Sequence, residues 1–199
     1  SAITLEQIGM NGEDNILGDK LGCHYFASAL SVLRNLLFVR SFGIVQSRWA
    51  HLNRNYNPLT RAIAIGMDIH FFVEQTGRYA AGFFLNFNGS GGILRTKAIL
   101  ASGGWPLDTL TEDLDLSYWM QLKGYHILYL KDVESPGEIP PTLSSFKKQQ
   151  GRWACGSLQT AKKLLPTLLT KHKLGFKSTL QAPIHLTGYG IHVVMVIAF

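Results

Sequence analysis

The spacing of apolar and polar residues along the chain predicts short strands that alternate with helices. Apolar residues recur at helical spacing in several segments, whereas the strand candidates are short apolar runs. The predicted strands are 43–49, 83–87 and 125–130. The predicted helices are 25–41, 58–79 (beginning at Pro58, after a turn), 96–101, 111–122 and 143–165. This alternation predicts an α/β fold in which helices cover a sheet.

The composition excludes several classes of protein. Apolar residues make up 46% of the 199 residues and charged residues only 16%, which excludes intrinsic disorder for most of the chain. The two cysteines, Cys23 and Cys155, are too few for a secreted disulfide scaffold. Neither has a zinc-ligand spacing to another Cys or His, so we expect buried free thiols and no metal site.

The net charge of +6 is distributed unevenly. Residues 139–199 contain eight lysines and arginines and no acidic residue, whereas residues 1–138 contain 11 basic and 13 acidic residues. A basic C-terminal part indicates a nucleic acid, an anionic membrane surface or a phosphorylated ligand as partner. Solvated helix faces are the alternative.

The last residues of the sequence are strongly apolar. Residues 182–199 end in an uninterrupted apolar run from Val193 to Phe199, which predicts the first part of a transmembrane helix truncated at the end of the chain. The alternative is a buried C-terminal core helix. Upstream, lysines alternate with leucines (Leu164, Leu165, Leu168 and Leu169), so residues 166–181 are predicted to be a basic amphipathic segment at the cytoplasmic membrane surface.

Three acids lie close together at Glu112, Asp113 and Asp115. Thr109 and Glu112 have capping-box spacing, which predicts that the acids lie in a first helical turn. They could simply complement the helix dipole, or one could be a general base that deprotonates a sugar hydroxyl. Mutual repulsion would raise one carboxylate pKa and the helix N-terminus would lower it, and both outcomes stay open.

Two further groups of residues could bind a ligand. Gln149, Arg152 and Trp153 share one helix face, which offers an amide, a guanidinium for phosphate and an aromatic platform for a sugar. An interface tryptophan beside a surface arginine is the alternative. The turn from Asn88 to Gly92 would let a ligand approach the backbone, or it is a hairpin turn.

A metal site is also considered at His70 and Glu74, which lie one helical turn apart. Neighbouring helical positions supply no third ligand for a metal. We therefore interpret the two side chains as a polar pair on the helix.

Together and in order, three segments resemble the family 2 glycosyltransferases, most closely the cellulose synthase-like and glucomannan (β-mannan) synthase branch. These segments are FNGSGGILR, TEDLDLSYWMQLKGY and QQGRW followed by ACGSLQTAKKLLP. The segments VQSRWAHLNRNYNPLTRA and HFFVEQ fit the same branch. The resemblance covers roughly residues 43–199 and implies a processive, membrane-embedded inverting transferase with a GT-A catalytic domain.

The resemblance also implies roles for individual residues. Asp113, in the motif with Thr111 and Glu112, would be the general base that activates the acceptor hydroxyl. Arg152 would contact the donor diphosphate, Trp153 would stack on the acceptor sugar, and Gln149 completes their motif. The acceptor site would be lined by Asn88, Gly89 and Ser90.

Some parts of the family pattern are not recognised in the sequence. The family carries a nucleotide-binding half and an Asp-x-Asp cation motif upstream, but residues 1–42 do not match that pattern. We therefore expect residues 43–165 to be the acceptor-side half of the catalytic domain, inactive on its own. A divalent cation (Mg or Mn) is implied for the full-length enzyme, with no ligands identified here.

The implied partners are a nucleotide-sugar donor (GDP-mannose or UDP-glucose), a β-glycan acceptor and a lipid membrane, with no nucleic acid. A location in the membrane with the catalytic part on the cytoplasmic side is expected. The alternative is a non-catalytic module that binds the membrane surface through its basic tail.

Overall fold

The computed structural model describes residues 16–18, 41–170 and 176–188, which form an α/β structure, as predicted. The described strands are β1 (Ile16–Gly18), β2 (Phe42–His51), β3 (Gly92–Arg95) and β4 (His126–Gly137). Helix α1 (Pro58–Asp68) continues directly as a π-helical segment (Ile69–Gln75) and as α2 (Thr76–Ala80). The other helices are α3 (Thr96–Ala101), α4 (Glu112–Leu122), α5 (Leu143–Thr170) and α6 (Phe176–Leu186). The predicted helix at 25–41 lies outside the described residues.

The four strands form one mixed sheet in the order β1-β3-β2-β4. Strand β2 pairs in parallel with β4 and antiparallel with β3, and β3 pairs antiparallel with β1. Because β2 has a hydrogen-bonded strand on each side, its backbone groups are satisfied and its middle can be buried. Residues 43–47 of β2 are buried accordingly.

Two apolar clusters hold the helices on this sheet. The first lies between the sheet and the helices that cover it, and includes Ile44, Phe71, Leu94, Leu116, Met120 and Ile127. The second joins α4, α5 and α6, and includes Tyr118, Leu164, Leu168, Ala182 and Leu186. Burial of this second set brings α5 and α6 against α4, which carries the three acids.

The predicted strand at 83–87 is wrong, since these residues pair with no other described strand. Phe84, Leu85 and Phe87 are buried, but the segment bonds to a side chain and not to a neighbouring strand. The Leu85 N–H donates to Gln121 Oε1 at 2.9 Å, and Gln121 Nε2 donates to the Leu85 carbonyl at 2.7 Å. The glycine turn that follows leads instead into β3, whose position the apolar pattern did not predict.

Leu164 and Leu168, which were expected to face a membrane surface, are fully buried. They pack against Ala182 and Leu186 of α6 in the second apolar cluster, so their apolar pattern serves the protein core. Residues 182–186 form the end of α6 in that core, and residues 189–199 lie outside the described residues. Within the described ranges, no helix is both long enough and apolar enough to cross a membrane.

Helix α5 differs from its prediction in two respects. It extends to Thr170 rather than 165 and contains Pro166, whose carbonyl accepts a hydrogen bond from Thr170 Oγ1 at 2.7 Å. Cys155 on this helix is an exposed free thiol, so the prediction of a buried thiol is wrong there. Cys23 lies outside the described residues.

Candidate active site

A cavity of about 640 Å³ lies between α1, the start of α4 and α5. Cavities that bind small molecules typically measure about 300–1,000 Å³. Its apolar wall comes from α1 and α5, and includes Leu59, Ala62, Ile63, Met67 and Phe146. Its polar and aromatic residues are Trp49, His70, Glu74, Asn86, Asn88, Thr111, Asp113, Gln150, Trp153, Ser157 and His185.

The α1 wall follows from how that helix begins. Asn57 is the N-cap, and its side chain accepts the Thr60 N–H at 2.8 Å while Thr60 Oγ1 accepts the Asn57 N–H at 3.0 Å. This capping box, together with Pro58 at the first helical position, fixes the start of the helix. Residues at helical spacing from Leu59 to Glu74 then face the cavity.

Helix α4 places the three acids in its first turn, as predicted. The predicted capping box between Thr109 and Glu112 does not form, because the N-cap is Thr111 and its side chain caps nothing. Thr109 Oγ1 instead donates to Asp115 Oδ2 at 3.4 Å. The Thr111 hydroxyl is buried and has no hydrogen-bond partner among the described residues.

The carboxylate of Asp113 lies against the glycine turn. Asp113 Oδ1 accepts the Leu114 N–H at 2.8 Å. Gly89 has φ +76°, and a Cβ at that position would lie 2.8 Å from Asp113 Oδ2. A side chain at residue 89 would therefore displace the carboxylate, and glycine also tolerates this backbone conformation.

Burial raises the pKa of Asp113 to about 6. The Leu114 N–H opposes this shift, the neighbouring Glu112 charge adds to it, and the Arg152 charge opposes it. The helix start and the neighbouring acid thus act as the sequence indicated, but desolvation is the larger effect. A carboxylate with a pKa of about 6 is a stronger base than an ordinary aspartate and is still mostly ionised at neutral pH.

Helix α5 presents Gln150, Trp153 and Ser157 to the cavity. These positions share one face of the helix, but this face is rotated from the predicted one, which comprised Gln149, Arg152 and Trp153. Gln149 is half-buried outside the cavity lining, and Arg152 is exposed. Arg152 is still close enough for its charge to lower the pKa of Asp113. The structure therefore brings Trp153 to the cavity with Asp113, whereas neither Arg152 nor Gln149 is part of the cavity lining.

The start of α4 and helix α5 are in direct contact. A Cβ at Gly156 would lie 2.6 Å from Thr111 Oγ1 and 2.8 Å from the Thr111 backbone nitrogen. Nearby, the Leu110 N–H donates to Gln159 Oε1 at 2.9 Å. The absence of a side chain at residue 156 therefore allows α5 to approach the first turn of α4 closely.

Ion pairs hold the same two elements together further along α5. Lys163 Nζ donates to Asp115 Oδ2 and to Asp108 Oδ1, each at 2.8 Å. Asp115 is fully buried, whereas Asp108 is exposed. Asp115 therefore stabilises the contact between the helices. Because it is paired with Lys163, it is not available as a base in the way that Asp113 is.

The three turn residues that were predicted to line the acceptor site differ from one another in their surroundings. Asn88 lines the cavity, Gly89 backs Asp113, and the Ser90 carbonyl accepts hydrogen bonds from Gln46 Nε2 at 3.1 Å and Trp49 Nε1 at 3.2 Å. Asn86 Nδ2 donates to Asn88 Oδ1 at 2.7 Å. This leaves Asn86 Oδ1 and Asn88 Nδ2 buried without partners among the described residues, so both can bond a polar ligand or water.

Sequence reasoning missed several cavity residues. Trp49 and Gln150 lie inside or beside recognised motifs, but no local pattern shows that they face the same space as Asp113. Asn86 precedes Asn88 by two residues, a spacing that could have indicated it. His185 lies in the segment that was predicted to enter a membrane.

The described residues do not fit a divalent-cation site. They contain no group of three or more His, Cys, Asp or Glu side chains placed to hold a metal ion. Of the three acids in α4, Asp115 is already engaged by Lys163. We therefore assign no step to a cation bound by these residues.

Comparison with known proteins gives a match to the sequence family described as "Glycosyl transferase family group 2" over residues 25–199. The matched range includes the three acids, the glycine turn and the part of α5 that lines the cavity.

Individual relatives are plant proteins. The chain is 36% identical over 146 residues to "Probable glucomannan 4-beta-mannosyltransferase 2" of Oryza sativa subsp. japonica, covering 73% of the chain and 25% of that protein. It is 37% identical over 136 residues to "Glucomannan 4-beta-mannosyltransferase 2" of Arabidopsis thaliana, covering 68% of the chain and 26% of that protein. The aligned part thus spans about a quarter of the length of these relatives.

Replacement of Gly156 by alanine should destabilise the protein. The new methyl group would collide with Thr111, at a cost of about 1–3 kcal/mol in the free energy of unfolding. Gly151→Ala on the same helix is the matched control, because no described atom lies within 4 Å of its Cβ position. Alanine there should stabilise the helix by up to about 1 kcal/mol. Urea unfolding of both variants measures the difference, and equal effects would contradict the close contact.

Replacement of Asp113 by asparagine should change how stability depends on pH. The folded-state pKa of about 6 exceeds the ordinary value of 3.8, so the original protein loses stability as pH rises from about 4 to 6. The asparagine variant lacks this loss and should be more stable at pH 7 by about 1–2 kcal/mol, but not at pH 4.

Urea unfolding at a series of pH values between 4 and 8 measures this difference. Asp132→Asn is the control, since it makes the same replacement at an exposed carboxylate outside the cavity lining. An Asp113→Asn variant with the same pH dependence as the original protein would show that this carboxyl is not held in a desolvated position.

Proposed function

Because the chain belongs to the glycosyl transferase group 2 family, we propose that it holds a β-glycan acceptor and supplies the general base for inverting hexosyl transfer from a nucleotide sugar. The observation that carries this proposal is the Asp113 carboxylate, which lies against the glycine turn and whose pKa burial raises to about 6. It lines the same cavity as Trp153. A basic carboxylate beside an aromatic ring suits a sugar hydroxyl that must lose its proton.

In the proposed step, the acceptor hydroxyl transfers its proton to Asp113 Oδ2 as its oxygen attacks the anomeric carbon of the donor. The bond from that carbon to the diphosphate oxygen breaks, and the nucleoside diphosphate leaves with the bonding electron pair. Arg152, which is exposed and whose charge acts on Asp113, would stabilise the leaving diphosphate by charge-assisted hydrogen bonds. Trp153 provides the flat apolar surface for the acceptor ring.

The sugar proposed for transfer is mannose. The relatives described above are named as glucomannan 4-beta-mannosyltransferases. This favours GDP-mannose over UDP-glucose as the donor and a β-linked mannan or glucomannan as the acceptor.

We also propose that the protein acts at the cytoplasmic surface of a membrane. The basic C-terminal part, with eight cationic and no acidic residues, supports attraction to anionic lipid headgroups. On α5 and α6, Leu169, Leu180 and Ile184 are exposed, and each could enter the interfacial region of a bilayer. The first part of a transmembrane helix in residues 182–199 remains a prediction from the apolar run that begins at Val193.

Activity should depend on the ionised form of Asp113. In an active synthase that contains this chain, Asp113→Asn should lower the rate of polymer synthesis by about 10²- to 10⁴-fold, because the proton acceptor is lost. Donor affinity should be unchanged. In the original enzyme the rate should rise with pH through about 6, as the carboxyl loses its proton. Polymer synthesis and nucleotide-sugar binding, measured from pH 5 to 8, test this expectation with Asp132→Asn as the control.

Two further variants separate the proposed roles in the same assays. Arg152→Lys should weaken donor binding and turnover, because lysine keeps the charge and loses the two-pronged geometry. Trp153→Ala should weaken acceptor binding alone, and Trp153→Phe should restore part of it. Near-normal synthesis by Asp113→Asn would contradict the proposal and favour a non-catalytic module that binds the membrane surface.

A further inference from the structure

A second polar group lies in the same cavity, centred on Glu74 of the π-helical segment. His70 Nδ1 and Glu74 Oε2 are 2.8 Å apart, which confirms the predicted polar pair. Arg78 Nη2 lies 2.9 Å from the other oxygen, Glu74 Oε1. The hydrogen bond with His70 is the main cause that lowers the pKa of Glu74 to about 2. Glu74 is therefore ionised across the physiological pH range, and its two oxygens are held in place by His70 and Arg78.

His185 of α6 joins this group from another side. Its Nδ1 lies 2.6 Å from the Tyr118 hydroxyl. Burial lowers the pKa of His185 to about 3 and raises the pKa of Tyr118, so the imidazole is neutral and the phenol keeps its proton. The neutral imidazole carries one N–H donor and one acceptor nitrogen, and the tautomer decides which of the two faces the Tyr118 hydroxyl.

This polar group is separate from the proposed general base. Glu74, His70 and His185 line the cavity that Asp113 lines, but they lie on the π-helical segment and on α6, whereas Asp113 lies in the first turn of α4. Glu74 and His185 do shift each other's pKa, so they lie close together. The cavity therefore contains two polar regions with apolar α1 residues such as Ile63 and Met67 along the same wall.

The chemistry of this group suits sugar hydroxyls. A fixed carboxylate accepts strong hydrogen bonds, and a neutral imidazole donates one, which together match a hydroxyl that both donates and accepts. A purely structural ion pair within a helix would not need to line a ligand-sized cavity together with a histidine from α6.

We propose that Glu74, His70 and His185 form a second sugar subsite, which binds hydroxyls of an acceptor residue other than the one that attacks the donor. This inference rests on the proposed function and extends it. A chain of β-linked sugars would then be held at two points, at Asp113 and Trp153 and again at the Glu74 group. The consequence is that longer acceptors bind better than short ones through contacts that short acceptors do not reach.

The test titrates the 199-residue chain with β-1,4-mannohexaose and with mannobiose, and follows the tryptophan fluorescence, to which Trp49 and Trp153 in the cavity contribute. Glu74→Gln and His70→Gln should each weaken binding of the hexaose by about 10- to 100-fold, as expected for lost hydrogen bonds with a charged group. Binding of mannobiose should change little. Glu138→Gln, an exposed carboxylate changed in the same way, is the control, and the melting temperature is recorded for every variant.

The outcomes separate this inference from the proposed function. Hexaose binding that is unchanged in both variants, but lost in Trp153→Ala, would overturn the second subsite and leave the proposed function intact. An equal loss for mannobiose and hexaose would also overturn it, because the group would then act at the first sugar. If the original chain binds neither sugar, both the subsite and the proposed acceptor site are wrong.

Discussion

The geometry of the cavity depends on the contact between helix α5 and the first turn of α4. A backbone without a side chain at Gly156 lies against Thr111, where even a Cβ would be only 2.6 Å from the threonine hydroxyl. Residue 156 follows Trp153 by three positions, and Thr111 precedes Asp113 by two. The aromatic surface and the carboxylate are therefore held across the same space by one close backbone contact, which the Lys163 ion pairs reinforce.

The same contact explains how two acids, two residues apart, have different environments. Asp115 is fully buried but is paired with Lys163 from α5, so its charge is compensated. Asp113 faces the cavity over Gly89 and forms no ion pair with a described residue, and burial raises its pKa to about 6. Groups of the same chemical type acquire separate environments in this way, one in a contact between helices and the other as the proposed base.

Much of this arrangement could be predicted from local sequence. The helix starts at Pro58, Thr96 and Glu112 follow from turn and spacing signals, and the acids of α4 are in the first turn as expected. The strand predicted at 83–87 failed because Gln121, from a distant helix, satisfies the Leu85 backbone, and no local pattern indicates such a bond. The burial of Leu164 and Leu168 was missed for a related reason, since their partners, Ala182 and Leu186, belong to another helix.

The candidate site, too, could be predicted only in part from local sequence. The sequence motifs identified Asp113 and Trp153. That Gln150 faces the cavity, and Gln149 does not, depends on the rotation of α5 about its axis, which is set by its packing against α4 and α6. His70 and Glu74 were recognised as a pair, but only the folded chain places them in the cavity with His185. Local pattern thus finds residues with suitable chemistry, and tertiary packing decides which of them share a space.

The most direct test of this account is a crystal structure of the chain with β-1,4-mannohexaose. We expect the sugar in the cavity, with one ring over Trp153 and one hydroxyl within about 2.6–3.2 Å of Asp113 Oδ2, the range for proton transfer. An oligosaccharide bound elsewhere on the protein, or a cavity in which no hydroxyl reaches Asp113, would contradict the assignment of this cavity as the acceptor site.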